Sequence, residues 1–240
     1  MKDSILYRDD CQEITGNQRF TLVIRKKSLY NRNGFKVTVL SRGGIMRKKS
    51  HISLANHMLD EFKDETLMAH AYMFQFGSLL PDLVPSFITK KHQMDTTFDI
   101  LEKKLRKVIE EYDGEEGLSM SRCKDLGVVT HYIADYFTLP HNKKFKGNLK
   151  DHVSYEEVLK HAMRHYVSQK NIENQPLIRM SMSSVDDICN FIKNCHVEYI
   201  KMAADGQDID CRHSVEVCRQ VLEAVMLLLH QRQHHYIQVA

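Results

Sequence analysis

From position 51 onward, apolar side chains recur every three or four residues, which is the spacing of one face of an α-helix. The first such segment carries Ile52, Leu54, Ala55, Met58, Leu59 and Phe62. Proline and glycine residues interrupt the pattern at several points farther along the chain. We predict further helices at about 65–79, 94–112, 119–137, 152–167, 185–203 and 212–235. The pattern therefore predicts an all-α fold, a single helical domain of six or seven helices.

Residues 1–45 follow a different pattern. Stretches 21–24 and 35–40 are β-branched and apolar, and stretch 30–34 (YNRNG) is typical of a turn, so a small β-hairpin is predicted. A basic run follows Met46, and the helical pattern then begins. We therefore divide the chain into an N-terminal extension, residues 1–45, that is either not native or loosely ordered, and a helical domain, residues 46–240.

Composition argues against several classes of protein. The net charge of +3 is small, so bulk charge gives no indication of nucleic-acid binding. None of the six cysteines forms a CxxC pair, which argues against a zinc ribbon and a thioredoxin-like site. No apolar run approaches the ~20 residues of a membrane helix, so no transmembrane segment is expected. The first residues also lack the apolar core of a secretory signal, and a cytoplasmic location is expected.

Fourteen histidines are many for this length, and histidine is the commonest metal ligand. Among them, His131 and His152 are followed four residues later by a carboxylate, Asp135 and Glu156 respectively. This spacing places both side chains of a pair on one helix face, where they can hold a zinc ion. The alternative for either pair is an ordinary side-chain pair on a helix, without metal.

The geometry of the second pair depends on where its helix begins. Asp151 can cap the helix, whereas Ser154 together with Glu157 matches a capping box. If Ser154 were the cap, His152 would precede the helix and the pair would loosen. We predict that Asp151 is the cap, which keeps His152 and Glu156 on one face.

Further candidate ligands lie at helix ends and on loops: His51, Asp82, His92 and His141. The first opens a helix, the second ends one, the third lies on a loop into the next helix, and the last follows a helix-ending proline. Singly, each is more often structural than functional. His161 and His165 also have a four-residue spacing, and we interpret them as part of a solvated helix face.

Taken in order, these residues resemble the zinc-dependent phospholipase C family. Segment 50–56 (SHISLAN) resembles the stretch around the first His ligand of the family. Segment 131–141 (HYIADYFTLPH) resembles its signature, with an Asp four residues after the first His and a second His after a proline-bearing bend. Segment 152–156 (HVSYE) resembles the next element, and the resemblance covers residues 47 to about 165. It implies the fold of this family, which includes clostridial α-toxin and is akin to the single-strand-specific fungal nucleases.

The resemblance also implies a cluster of zinc ions. Position by position, His92, His131 and Asp135 would hold the first ion. Asp82 would lie beside this ion, either as a further ligand or as a catalytic base.

The same comparison of positions implies a second ion held by His141, His152 and Glu156. His51 would contribute to a third ion, which Asp135 would bridge to the others. In the family, an N-terminal tryptophan ligates this third ion, and the present chain contains no tryptophan. Two or three zinc ions are therefore expected.

The implied activity is hydrolysis of a phosphodiester. A zinc-bound hydroxide would attack phosphorus, and Asp82 would orient it or take its proton. Phospholipid is the implied substrate. A nucleotide or single-stranded nucleic acid is the alternative, because related folds act on them, although no stable nucleic-acid complex is expected. Two other classes stay open, namely a metal-binding relative without turnover and a helical interaction module in which the histidines are incidental.

Overall fold

A computed structural model describes residues 28–30, 36–38, 48–83, 91–112, 117–169, 177–178, 180–203 and 206–239. Side chains are described from residue 50 to residue 233 within these ranges. By its internal contacts the chain divides into two units, Met1–Ile45 and Met46–Ala240.

The first unit contains two short strands, β1 (Ser28–Tyr30) and β2 (Lys36–Thr38). They pair antiparallel, with Leu29 opposite Val37. The strand predicted at 21–24 and residues 31–34 of the predicted turn lie outside the described residues.

The second unit is helical, which confirms the predicted all-α fold. Its helices are α1 (Lys48–Phe62), α2 (Glu65–Ala69), α3 (Ala71–Leu79), α4 (Met94–Ile109), α5 (Met120–Tyr136), α6 (Leu149–Ser168), α7 (Val185–Met202) and α8 (Gln207–Val239). Short 3-10 helices follow α3 (Leu80–Asp82) and α5 (Leu139–His141). The described residues thus hold one α-helix more than the upper prediction. The extra helix arises because His70, with φ −122° and ψ 30°, divides the predicted helix 65–79 into α2 and α3.

The start of α6 corrects the predicted cap. Asn148, not Asp151, is the N-cap, and its side chain accepts hydrogen bonds from the backbone N–H groups of Lys150 and Asp151. Asp151 is the third residue of the helix and accepts a hydrogen bond from the Asn148 N–H, which completes a capping box. The helix therefore begins three residues earlier than Asp151 would allow, and His152 and Glu156 both lie inside it.

Helix α5 lies at the centre of this unit, between α3, α4 and α8. Every residue from 125 to 136 is buried, which is typical of a helix surrounded by other elements. Helices α3 and α5 approach closely at two glycines. A Cβ atom on Gly77 would lie 2.0 Å from the Lys124 carbonyl oxygen, and one on Gly127 would lie 2.1 Å from that of Phe74. This close contact fixes the end of α3 against the middle of α5.

Helix α6 packs against α1 and α8 and closes the bundle on the side of the second 3-10 helix. Among the described residues, no helix combines the length and the low polarity that a membrane crossing requires.

Candidate metal centre

The structure brings all of the predicted ligands into one connected cluster. They are contributed by α1 (His51), the two 3-10 helices (Asp82, His141), the segment before α4 (His92), α5 (His131, Asp135) and α6 (His152, Glu156). These side chains are buried or nearly so, and that of His152 is the most exposed at 18%. Residues separated by up to about a hundred positions in the chain therefore meet at one place.

Asp135 lies at the centre of the cluster, in the last turn of α5. Its Oδ2 atom lies 2.8 Å from His92 Nδ1 and 3.1 Å from His131 Nε2. Its Oδ1 atom faces the other way, 3.3 Å from His51 Nε2 and 3.6 Å from His141 Nε2. Each carboxylate oxygen thus contacts a different pair of imidazoles, which is an arrangement that suits a bridging ligand.

One set of potential ligand atoms comes from Asp82, His92 and His131, whose atoms all lie within 4.8 Å of one another. His131 Nε2 lies 3.2 Å from His92 Nδ1. Asp82 Oδ1 lies 3.9 Å from His92 Nδ1 and 4.0 Å from His131 Nε2. Asp135 Oδ2 lies closer to both nitrogens, at 2.8 Å and 3.1 Å. Asp82 is therefore a peripheral member of this set.

The tautomer of His131 follows from its other ring nitrogen. Nδ1 lies 2.8 Å from the carbonyl oxygen of Ser78, so Nδ1 carries the proton and donates this hydrogen bond. Nε2 is then left with its lone pair directed at the cluster, as a metal ligand requires. The close contact of α3 with α5 at Gly77 and Gly127 places the Ser78 carbonyl there.

A second set comes from His141, His152 and Glu156, whose ligand atoms also lie within 4.8 Å of one another. Glu156 Oε1 lies 2.7 Å from His152 Nε2 and 3.5 Å from His141 Nε2. The ring of His152 is also edge-on to that of His141, with 5.1 Å between centroids. This set shares no residue with the first.

His51 completes a third grouping only by sharing ligands. Its ring stacks on that of His131 with 4.0 Å between centroids, and its potential partners are His131 and Asp135. His131 already belongs to the first set, and Asp135 already contacts both imidazoles of that set. The described residues therefore provide two separate sets of potential ligands and, in His51, one additional imidazole beside Asp135.

The charges of the cluster explain the direction of its pKa shifts. Burial alone would raise the pKa of Asp135, but His141, His131 and His51 outweigh it and hold that pKa well below its usual value. Burial opposes protonation of His51 and His141 as well, yet Asp135 keeps the pKa of both imidazoles above the ordinary value. For His131 burial dominates and, together with the neighbouring His51, lowers the pKa below its ordinary value. The site thus favours positive charge around Asp135.

A divalent metal fits this set of atoms. Asp82, Asp135 and Glu156 place three carboxylates in a buried region, where uncompensated negative charge is costly. Among the described residues, Asp82 Oδ2 is a buried oxygen with no hydrogen-bond partner. Imidazole nitrogens and carboxylate oxygens in sets of three are the ligands of catalytic zinc sites. The cluster can therefore hold zinc, and its buried charges favour a bound cation.

The histidine pair at 161 and 165, which has the same four-residue spacing, lies elsewhere. His161 and His165 are exposed, and His161 Nε2 lies 3.4 Å from Glu157 Oε1. This agrees with the interpretation of a solvated helix face.

Sequence reasoning missed the groups that orient the ligands. The Ser78 carbonyl that fixes His131 leaves no trace in the sequence, because every residue has a carbonyl. Two glycines at the α3–α5 contact are the only related signal, and glycine by itself does not indicate which carbonyl is placed where.

Comparison with known proteins identifies one family. A family model described as zinc dependent phospholipase C matches residues 50–206, which is more than half of the 240-residue chain. All of the clustered ligands lie within the matched segment. No curated protein and no solved structure gives a significant match.

Proposed function

Because this chain belongs to the zinc-dependent phospholipase C family, we propose that it hydrolyses a phosphodiester at the cluster around Asp135. The family consists of metal-dependent hydrolases of this type, and the resemblance seen in the sequence is confirmed at the level of the family. The activity of this chain, its substrate and its number of zinc ions go beyond family membership, and these we propose.

The observation that carries the proposal is the pair of separate ligand sets on either side of one carboxylate. His92, His131 and Asp82 lie on one side, and His141 lies with its own set on the other. Asp135 contacts both sides, one through each of its oxygens. Two zinc ions held in these sets would neutralise charge on a phosphodiester and lower the pKa of water to about 7.

The protein groups have distinct roles in this proposal. Asp135 contacts imidazoles of both ligand sets, one set through each of its oxygens, and so holds the two sets together. Asp82 is the candidate base, because its Oδ2 is buried and, among the described residues, has no hydrogen-bond partner. A carboxylate oxygen in this state can accept a proton from the attacking water. His131 is oriented by the hydrogen bond from its Nδ1 to the Ser78 carbonyl oxygen.

The surroundings of the site favour a phospholipid. A cleft borders Asp135 and Glu156 and is also lined by the apolar side chains of Leu54, Leu159 and Met163. These three side chains are 1–5% exposed and belong to the core, so the apolar part of a lipid would lie outside the cleft, on the neighbouring surface.

The surface beside the second ligand set is positively charged and partly apolar. Residues 143–150 (KKFKGNLK) connect His141 to the helix of His152, and all four of their lysines are exposed. The Leu149 side chain is 73% exposed and Val153 is 41% exposed. Positive charge combined with exposed apolar groups is suited to the surface of an anionic lipid layer.

A hydrolysis assay tests the proposed function. The purified chain is offered a short-chain phospholipid and, separately, single-stranded DNA, before and after treatment with a chelator. We expect release of a phosphorylated head group from the lipid, loss of this release in chelator, and recovery when zinc is returned. Hydrolysis that persists in chelator contradicts a metal-dependent site. Zinc-loaded protein that hydrolyses neither compound would make the chain a metal-binding relative without turnover, and preferential cleavage of DNA would reverse the choice of substrate.

A further inference from the structure

Asp210, in the first turn of α8, is fully buried and accepts three hydrogen bonds. Its Oδ2 accepts from the backbone N–H of Leu139 at 3.0 Å and from the Tyr155 hydroxyl at 2.8 Å. Its Oδ1 accepts from the Tyr199 hydroxyl at 2.7 Å. The residue lies beyond the segment that the family match covers.

The donors to Oδ2 come from the two segments that carry the second ligand set. Leu139 is the first residue of the 3-10 helix that ends at His141. Tyr155 lies on α6 immediately before Glu156 and three residues after His152. A single carboxylate oxygen therefore connects the segment of one ligand to the helix of the other two.

We propose that Asp210 is a positioning residue that holds His141 in register with His152 and Glu156, so that the three side chains form one metal-binding set. This inference rests on the proposed function, because it concerns the same site. It assigns to Asp210 no contact with metal or substrate. Its effect passes through the backbone of residues 139–141 and through the first half of α6.

All three partners donate to the carboxylate of Asp210, which suits its ionised form. Burial raises the pKa of Asp210 to about 6, while the three donors lower it, so the group is mostly ionised at neutral pH. An asparagine at this position keeps the shape of the side chain but removes its charge, so the hydrogen bonds from the Leu139 N–H and the Tyr155 hydroxyl become neutral and roughly half as strong. Asp210→Asn thus weakens the connection between the two segments with almost no change in side-chain volume.

Zinc titration of the metal-stripped full chain measures the effect without relying on activity. Partners that orient metal ligands contribute about 10- to 100-fold to metal affinity. We expect Asp210→Asn to weaken binding of one zinc ion by about this factor and to leave the other ion unchanged. A purely structural residue would lower thermal stability without affecting one ion selectively.

Two tyrosine variants provide a matched comparison in which the carboxylate is kept. Tyr155→Phe and Tyr199→Phe each remove one hydroxyl donor from Asp210, but only Tyr155 lies on the helix of the ligands. We expect Tyr155→Phe to lower the affinity for the same zinc ion as Asp210→Asn does. We expect Tyr199→Phe to leave the affinities for both ions unchanged. Equal zinc affinities in the two variants would overturn the inference, even if Asp210→Asn fails to fold.

Combining variants identifies which ion is affected. With His152→Ala, which removes a ligand of the second set, Asp210→Asn should cause no further loss of zinc affinity. With His92→Ala, which removes a ligand of the first set, its effect should persist in full. An undiminished effect in the His152→Ala background would also overturn the inference. If the unaltered chain binds no zinc at all, the proposed function fails instead, so the two failures are distinguishable.

Discussion

Replacing Asp135 with asparagine is expected to remove bound zinc and hydrolase activity together. Asp135 contacts four imidazoles, two through each oxygen, and so connects both ligand sets. The substitution removes one negative charge and turns one oxygen into an N–H₂ group that faces imidazole nitrogens. Because loss of a mere orienting partner costs about 10- to 100-fold in metal affinity, we expect loss of this central ligand to cost more.

Zinc content and hydrolysis rate are measured on the same preparation of Asp135→Asn. Asp125→Asn is the matched control, since Asp125 is also a buried carboxylate on α5 but pairs with Lys104 and Lys107 outside the cluster. We expect this control to retain zinc even if its stability falls. Asp135→Asn protein with normal zinc content would contradict the assignment of Asp135 as the shared ligand.

Replacing Asp82 with asparagine is expected to lower the rate far more than the zinc content. Asp82 lies farther from the imidazole nitrogens than Asp135 does, and its buried Oδ2 has no hydrogen-bond partner among the described residues. A positioned general base contributes about 10²- to 10⁴-fold to a rate. We therefore expect kcat to fall by a factor in this range while zinc stays bound.

The measurement compares kcat with zinc content in Asp82→Asn and the unaltered chain. His92→Ala is a suitable reference for the loss of a ligand, because His92 Nδ1 lies 2.8 Å from Asp135 and belongs to the first set. If Asp82→Asn loses zinc and activity to the same extent as His92→Ala, then Asp82 is a ligand and the role of base is wrong.

Helical spacing was sufficient to predict the parts of the site that are local in sequence. His131 with Asp135 and His152 with Glu156 lie on the same helix faces because the α-helix repeats every 3.6 residues. The four-residue spacing could not distinguish these pairs from His161 with His165, which are exposed. Whether such a pair faces other ligands depends on which helices pack against it, and the tertiary fold determines that packing.

The convergence of distant residues could not be predicted from spacing. Whether His51 approaches Asp135 depends on how α1 packs beside α5, and only the order of motifs shared with a known family indicated this contact. The family resemblance also could not reveal the cap of α6, since Asn148 and Asp151 both favour helix starts. Asp210 was not predicted because its partners, Leu139 and Tyr155, lie more than fifty residues away and carry no recognisable motif.

The most direct test of the central claim is the zinc content of the purified, full-length chain. Protein is stripped with chelator, dialysed against excess zinc, freed of unbound metal and analysed for metal per chain. The account predicts about two tightly bound zinc ions, one held by His92, His131 and Asp135 and one by His141, His152 and Glu156. His51 beside Asp135 predicts weaker binding of any third ion. A folded chain that retains no zinc, with thermal stability unchanged by chelator, would contradict the account.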